Sequence, residues 1–487
     1  MTLPRITLLL SLFAPLALPA QQHPHVPHTV PAVFLSDIHF DPFYDPAKTT
    51  QLISAPINRW SIILDAPASP NRERDFAALN DVCRSRGADT AQPLWRSTLK
   101  ALRARAASAT FVTVSGDLLA HEFECKFKRT FPTASDRDYT LFTAQTIRYL
   151  VRGLQGVFPA RPLYVAMGNN DSGCGDYRED RSSAFLNEVS KIVTASLPPD
   201  DREENLRDFA LGGFYSAPLP REIPHARILV LDNLFSSYKY TTCANKPSDY
   251  ASNQQIAWLR NQIADAREHH QVLWVMAHIP PGIDLYSTLK KGYVCGKTPA
   301  VNFLANEKLG AVLAANDDVI RLAIFAHTHT DELRLINEDS QPADGAEQGK
   351  SGTPRGPGVA VKMVASITPV NGNNPSFTVA RVAPATANLI DYTVYAASNL
   401  TGVSATWSKE YTFSETYHQP SFTPATLKLM TEAFRNDPNA STPESNAYLR
   451  NIYVGDRAPL LKPVWPEYTC ALTHNSAQSF ADCVCKK

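Results

Sequence analysis

The chain has 487 residues, 44% apolar and 19% charged, enough for a large buried core. Length alone allows two to four domains, and one large α/β domain with an appendage fits as well. Its 47 lysines and arginines balance 47 acids, which excludes a strong net field for nucleic acid or anionic membrane; composition leaves room for a local basic patch without demanding one, and no nucleic-acid-binding patch is evident.

Residues 1–20 read as a signal peptide: Arg5 supplies the positive start, "ITLLLSLFAPLAL" the apolar stretch and "LPA" a small-residue end before "QQ". The alternative, a membrane anchor, is disfavoured because the stretch falls short of the roughly 20 residues that span a bilayer. No later segment is long and apolar enough to span. The mature chain is therefore expected outside the cytoplasm, secreted or periplasmic, with no integral membrane segment. From Pro31 onward, short apolar runs alternate with helical stretches. "AVFLSD", "FVTVSGD", "LYVAMGN", "RILVLDN", "VLWVMAH" and "RLAIFAH" suit strands buried on both faces. Between them "PLWRSTLKALRARA", "YTLFTAQTIRYLVRGL" and "NQQIAWLRNQIADAREH" carry apolar residues at helical spacing. This alternation predicts a layered α/β domain. The Gly- and Pro-rich stretch "NEDSQPADGAEQGKSGTPRGPG" reads as a long hairpin loop, because "VAVKMVASITPV" resumes a strand pattern; a domain linker is the other reading. Strands follow at "SFTVARVA" and "NLIDYTVYAA". From Ser404 the pattern turns helical and irregular, predicting a small C-terminal subdomain over residues 404–487.

Eight cysteines in an exported chain favour disulfides, and their spacing forms no paired zinc motif. Cys470 is expected to pair with Cys483 or Cys485, with a cysteine from the body of the chain as the other possibility. Cys243 and Cys295 are expected to join the loops flanking the His278 strand.

The polar residues sit where the apolar runs stop: Asp37 and His39, Asp117, Asn169, His278, then His327 and His329. A histidine or aspartate at one strand end is ordinarily a capped turn. Seven at successive strand ends are another matter, since the carboxyl ends of strands in an α/β sheet face one crevice. Imidazole, carboxylate and amide donors without thiolate suit zinc, manganese or ferrous iron. A shared carboxylate can hold two cations about 3.5–4 Å apart, a geometry suited to phosphate-ester hydrolysis.

In their order, "DIH", "GDLLAH", "GNN", "AHIPPG" and "AHTHTDE" resemble the calcineurin-like metallophosphoesterases. The similarity is greatest to the acid sphingomyelinase branch, which includes sphingomyelinase-like phosphodiesterases and endopolyphosphatases. It extends over residues 31–435, and "HIPPG", "NNPSFTV" and "DYTVYAASNL" agree with it. The resemblance implies a layered α/β/β/α sandwich with two mixed sheets over residues 29–403. It also implies two divalent ions, zinc foremost with manganese or iron as alternatives. Asp37, His39 and His329 would hold one and Asn169, His278 and His327 the other, with Asp117 bridging. A water or hydroxide between the metals would then attack phosphorus in line. A saposin-like domain, present ahead of some members' catalytic domain, is not expected.

His121, four residues after Asp117, matches a histidine that contacts phosphate or protonates the leaving oxygen; a surface histidine opening a polar loop is the plainer reading. Asn170 stands where many relatives carry a histidine that protonates the leaving group. An amide can donate a hydrogen bond to phosphate but cannot release a proton, so the duty shifts to His121 or to solvent. The substrate expected is a phosphodiester, with a phosphoanhydride such as polyphosphate or a nucleotide as the alternative that Asn170 favours. A metal-binding pseudoenzyme is the alternative from another class.

Overall fold

All six of the continuous apolar runs are strands, and each is sealed on both faces. The computed structural model describes residues 28–292, 295, 298–337, 356–397, 406–455 and 458–485. The expected signal peptide and the 403/404 boundary lie outside them. Twelve strands occur among the described residues: β1 (Val30–Leu35), β2 (Phe111–Ser115), β3 (Leu163–Ala166), β4 (Tyr215–Pro218), β5 (Ala226–Val230), β6 (Val272–Met276), β7 (Ile320–Phe325), β8 (Leu333–Ile336), β9 (Val359–Met363), β10 (Ser376–Val382), β11 (Leu389–Ala397) and β12 (Trp407–Thr412). They form two mixed six-stranded sheets, ordered β12-β11-β10-β1-β2-β3 and β4-β5-β6-β7-β9-β8.

Parallel pairing of β1 with β2 and of β2 with β3 requires crossovers. The helix Gln92–Arg105 returns the chain to β2, and the helix Asp136–Val157 returns it to β3. The second of these begins at a capping box in which Ser135 and Asp138 satisfy each other's backbone N–H. In the second sheet, the helices Tyr250–Glu268 and Lys308–Ala314 precede β6 and β7. Trp274 and Leu322 join the core shared with Phe34 and Phe111 of the first sheet, while their neighbours Leu273, Val275 and Ala323 pack with Leu259 and Val312 of those helices. Trp274 is fully buried, with its ring edge-on to Phe34 at 5.9 Å and to Phe111 at 5.7 Å. Truncating it to alanine would cost about 3–5 kcal/mol.

β8 and β9 pair antiparallel, and the Gly- and Pro-rich stretch read as a hairpin loop lies mostly outside the described residues. β12 completes the edge of the first sheet, and helices follow from Phe413. These helices dock on the segment just after His329: the N–H of Asp331 donates to the carbonyl of Ile452 (2.7 Å), and that of Leu335 to Leu472 (2.9 Å). No described helix is long and apolar enough to cross a membrane.

Four disulfides join Cys83–Cys125, Cys174–Cys243, Cys295–Cys485 and Cys470–Cys483. The pairing of Cys470 with Cys483 was expected; that of Cys243 with Cys295 is corrected. Residues 241–243 run beside the loop that carries Cys174. Thr241 N–H donates to the Tyr177 carbonyl (3.1 Å) and Cys243 N–H to Asp180 (3.0 Å), which brings Cys243 to Cys174 and leaves Cys295 for the tail.

Candidate metal centre

At the carboxyl ends of β1, β2, β3, β6 and β7 the backbone turns sharply, and the seven expected ligands stand at those turns. Asp37, His39, Asp117, His327 and His329 have φ of 44°, 45°, 53°, 75° and 63°. Left-handed backbone at a non-glycine residue costs on the order of 1–3 kcal/mol and persists where surrounding structure enforces it. Here the enforcement is hydrogen bonding between strand ends: Asp37 N–H to the Gly116 carbonyl (3.0 Å) and His39 N–H to that of Asp117 (2.9 Å). Gly168 allows the closest approach. A Cβ there would collide with the Asp117 side chain and backbone.

Asp117 lies at the middle of the cluster. Its Oδ2 is 3.3 Å from His39 Nε2 and 3.2 Å from His278 Nε2. Asp37 Oδ1 is 3.4 Å from His329 Nε2 and 3.8 Å from His39 Nε2. His327 Nδ1 faces His278 Nε2 at 3.3 Å. All of these groups are buried except His327, which is half-buried.

Hydrogen bonds on the outer side decide which atom points inward. The Nδ1 atoms of His39 and His278 meet the carbonyls of Leu119 (2.9 Å) and Ser115 (2.8 Å), which directs each Nε2 inward. His327 is reversed, with Nε2 toward the Tyr177 hydroxyl (3.3 Å). Asn169 donates its amide N–H to Asp176 (2.7 Å), which leaves its carbonyl oxygen for the centre. Both Asp37 carboxylate oxygens, His39 Nε2 and Asn169 Oδ1 are buried without a hydrogen-bond partner. Buried polar atoms are ordinarily paired. A group of converging buried donor atoms of this kind is suited to holding metal cations.

The charges agree. Burial alone would lower the His39 imidazole, but the carboxylates of Asp117, Asp37 and Asp89 together outweigh it and lift the group to about 9. The same balance lifts His278 to about 10. Burial, reinforced by the charges of His278 and His39 respectively, pushes His327 and His329 down to about 3. Burial would raise Asp117, yet the His278 and His39 charges hold it well below the ordinary carboxylate range. The cluster thus favours positive charge beside Asp117, and metal binding at His39 and His278 would release protons.

His121 sits beside this cluster, half-buried, its ring stacked on His39 with centroids 3.9 Å apart. One ring nitrogen each of His121, His39 and His329 lie within 4.8 Å of one another. Asn170 faces Asp117: its backbone N–H donates to Oδ1 and its amide to Oδ2, both at 2.9 Å.

Sequence reasoning missed the residues that hold these groups. Asp89 accepts from His121 Nδ1 (2.9 Å), from the His121 backbone N–H (2.9 Å) and from the Thr368 hydroxyl (2.9 Å). Asp171 accepts from the N–H groups of Leu118, Leu119 and Gly168 at 2.8–2.9 Å, tying the β2 turn to the β3 turn. Asp176 and Tyr177 orient Asn169 and His327. Only Asp171, directly after the asparagine pair, carried a local signal.

The family model described as calcineurin-like phosphoesterase matches residues 30–331. The chain is 26% identical over 347 residues to the cyclic GMP-AMP phosphodiesterase SMPDL3A of Rattus norvegicus, covering 68% of this chain and 69% of that protein. It is 23% identical over 460 residues to the acid sphingomyelinase-like phosphodiesterase 3b of Mus musculus, covering 92% and 89%. Over 197 residues it is 26% identical to the sphingomyelinase phosphodiesterase C of Dictyostelium discoideum, 40% of each chain. With its two mixed sheets and a buried His/Asp cluster suited to metal at their strand ends, the chain belongs to the calcineurin-like phosphoesterases and is a metallophosphoesterase related to the acid sphingomyelinase-like phosphodiesterases.

Proposed function

We propose that the chain is an exported dinuclear-metal phosphodiesterase. The observation that carries this reading is the set of unpaired buried donor atoms around Asp117: both oxygens of Asp37, His39 Nε2 and Asn169 Oδ1. Asp37, His39 and His329 form one half of the site and Asn169, His278 and His327 the other, with Asp117 common to both. Bound cations, zinc first among those the donors suit, supply Lewis acidity toward a phosphoryl oxygen and an activated water. The protein's part is to hold them. The outer hydrogen bonds fix each ring, and Asn170 orients the Asp117 carboxylate. His121, with Nδ1 engaged by Asp89, presents Nε2 to the leaving oxygen and delivers its proton there. Four disulfides fit an oxidising compartment, and residues 1–20 serve as the export signal.

A second reading, hydrolysis of a phosphoanhydride such as polyphosphate or a nucleotide, is favoured by Asn170, which holds no transferable proton. A phosphate leaving group needs protonation less than an alkoxide does. Metal-stripped protein should regain turnover of bis(4-nitrophenyl) phosphate when zinc or manganese is returned. Equal turnover in the stripped and reloaded protein would overturn the metal-dependent reading, and turnover confined to pyrophosphate or ATP would favour the second.

A further inference from the structure

The helix Phe123–Thr130, the first turn of the helix Asp136–Val157 and the loop 173–178 enclose a pocket of ≈ 180 Å³. Asn170 forms part of its wall, and the same amide rests on Asp117 Oδ2, so the pocket adjoins the centre of the metal cluster. Its volume is roughly that of six waters in the liquid, enough for a polyol or monosaccharide fragment.

Two features define what the pocket accepts. Tyr139 lines it, 3% exposed, and its hydroxyl is buried without a hydrogen-bond partner. An unpaired buried hydroxyl is costly, and a ligand oxygen would satisfy it. Burial first, then the Glu124 carboxylate, push this phenol well above its ordinary value, so it remains a neutral donor. The second feature is charge. Glu122, Glu124 and Asp176 face the pocket against Arg178, and that guanidinium is already paired with Glu124. A second phosphate would meet surplus carboxylate. Hydroxyl groups would find acceptors in the carboxylates and a donor in Tyr139, with the Phe123 ring as an apolar wall.

We propose that this pocket receives the leaving alcohol of a phosphodiester and selects an uncharged, hydroxyl-bearing group over a second phosphate. The assignment rests on the phosphodiester reading above and makes Tyr139 a specificity-determining residue. The test uses the metal-loaded full chain and compares kcat/KM for two methyl phosphodiesters, one with glycerol and one with propanol as leaving alcohol. Methyl 4-nitrophenyl phosphate and inorganic pyrophosphate complete the panel. The glycerol ester should exceed the propyl ester by about ten-fold or more, the scale of one or two well-placed hydrogen bonds. Tyr139→Phe should bring that ratio most of the way to one, a readout that a uniform loss of activity does not move. Equal rates for the two alkyl esters, pyrophosphate as the best substrate, or an unchanged ratio in Tyr139→Phe would overturn the proposal. Discrimination absent while the nitrophenyl ester turns over sinks the subsite alone. No turnover of any diester sinks the phosphodiester reading and the subsite with it.

Discussion

Replacing Asp89 with asparagine keeps the shape of the group behind His121 and removes its charge. In the native chain the carboxylate accepts three hydrogen bonds, two from His121 and one from Thr368. Burial is the largest single influence and would raise this carboxyl, but the charge and hydrogen bond of His121, with the charges of His39 and Lys126, together hold it well below the ordinary range. The variant exchanges a charge-assisted bond for a neutral one, a loss of about 1–2 kcal/mol. The asparagine amide can also present N–H to Nδ1 and select the wrong tautomer. General acid help is typically worth about 10²–10⁴-fold, so a loss of about 10–10²-fold in kcat/KM is expected for an alkyl phosphodiester. A nitrophenyl ester, whose leaving group departs unprotonated, should lose only a few-fold, and metal content should stay native. Because the folded-state carboxyl lies below its unfolded value, its stabilisation is present above a pH of about 3.9 and is lost as pH falls further. The stability gap between wild type and variant should therefore be widest near neutrality and narrow in acid. Equal kinetic losses for the two esters, or a gap that widens in acid, would refute this role for the pairing of Asp89 with His121.

Removing the imidazole outright, in His121→Ala, should cost the alkyl ester about 10²–10⁴-fold and the nitrophenyl ester far less; equal losses would mean that the ring positions phosphate and donates no proton. Gly168→Ala drives a methyl group into Asp117, so metal content by elemental analysis should collapse, and a variant with native metal would show that the turn has room. Burial lifts Glu179 to about 7, against an ordinary 4.5. A raised carboxyl gives stability that is complete below about pH 4.5 and lost as pH rises through 7, an effect of about 3 kcal/mol. Urea melts should show wild type losing ground to Glu179→Gln between pH 5 and 8; parallel curves would contradict the shift.

The strands were legible because β1, β2, β3, β5, β6 and β7 are continuous apolar runs, and each ends abruptly in a polar residue. β4 was not, since Tyr215–Pro218 is a four-residue edge strand that contains proline. Helices at Pro46–Leu52, Ile57–Asp65 and Arg72–Cys83 also went unread, being short and carrying few buried residues. The candidate ligands could be seen because the fold gathers strand ends, so order along the chain becomes nearness in space. Asp89 could not be seen. It lies 32 residues from His121 and 279 from Thr368, in a loop where an aspartate is ordinary. Asn170 was legible as an anomaly, but its contact with Asp117 depends on how two strand ends meet. The Cys174–Cys243 pairing follows from a loop-to-loop bridge that no periodicity announces.

Asp117 is proposed as the carboxylate common to two cations. The direct measurement is metal content and turnover on the same samples of wild type and Asp117→Ala. Wild type should carry two divalent cations per chain, with activity rising as they are restored. Asp117→Ala should lose most of its metal and its activity together, since two cations would otherwise face each other with less screening. A variant that kept both cations and near-normal turnover would contradict the account.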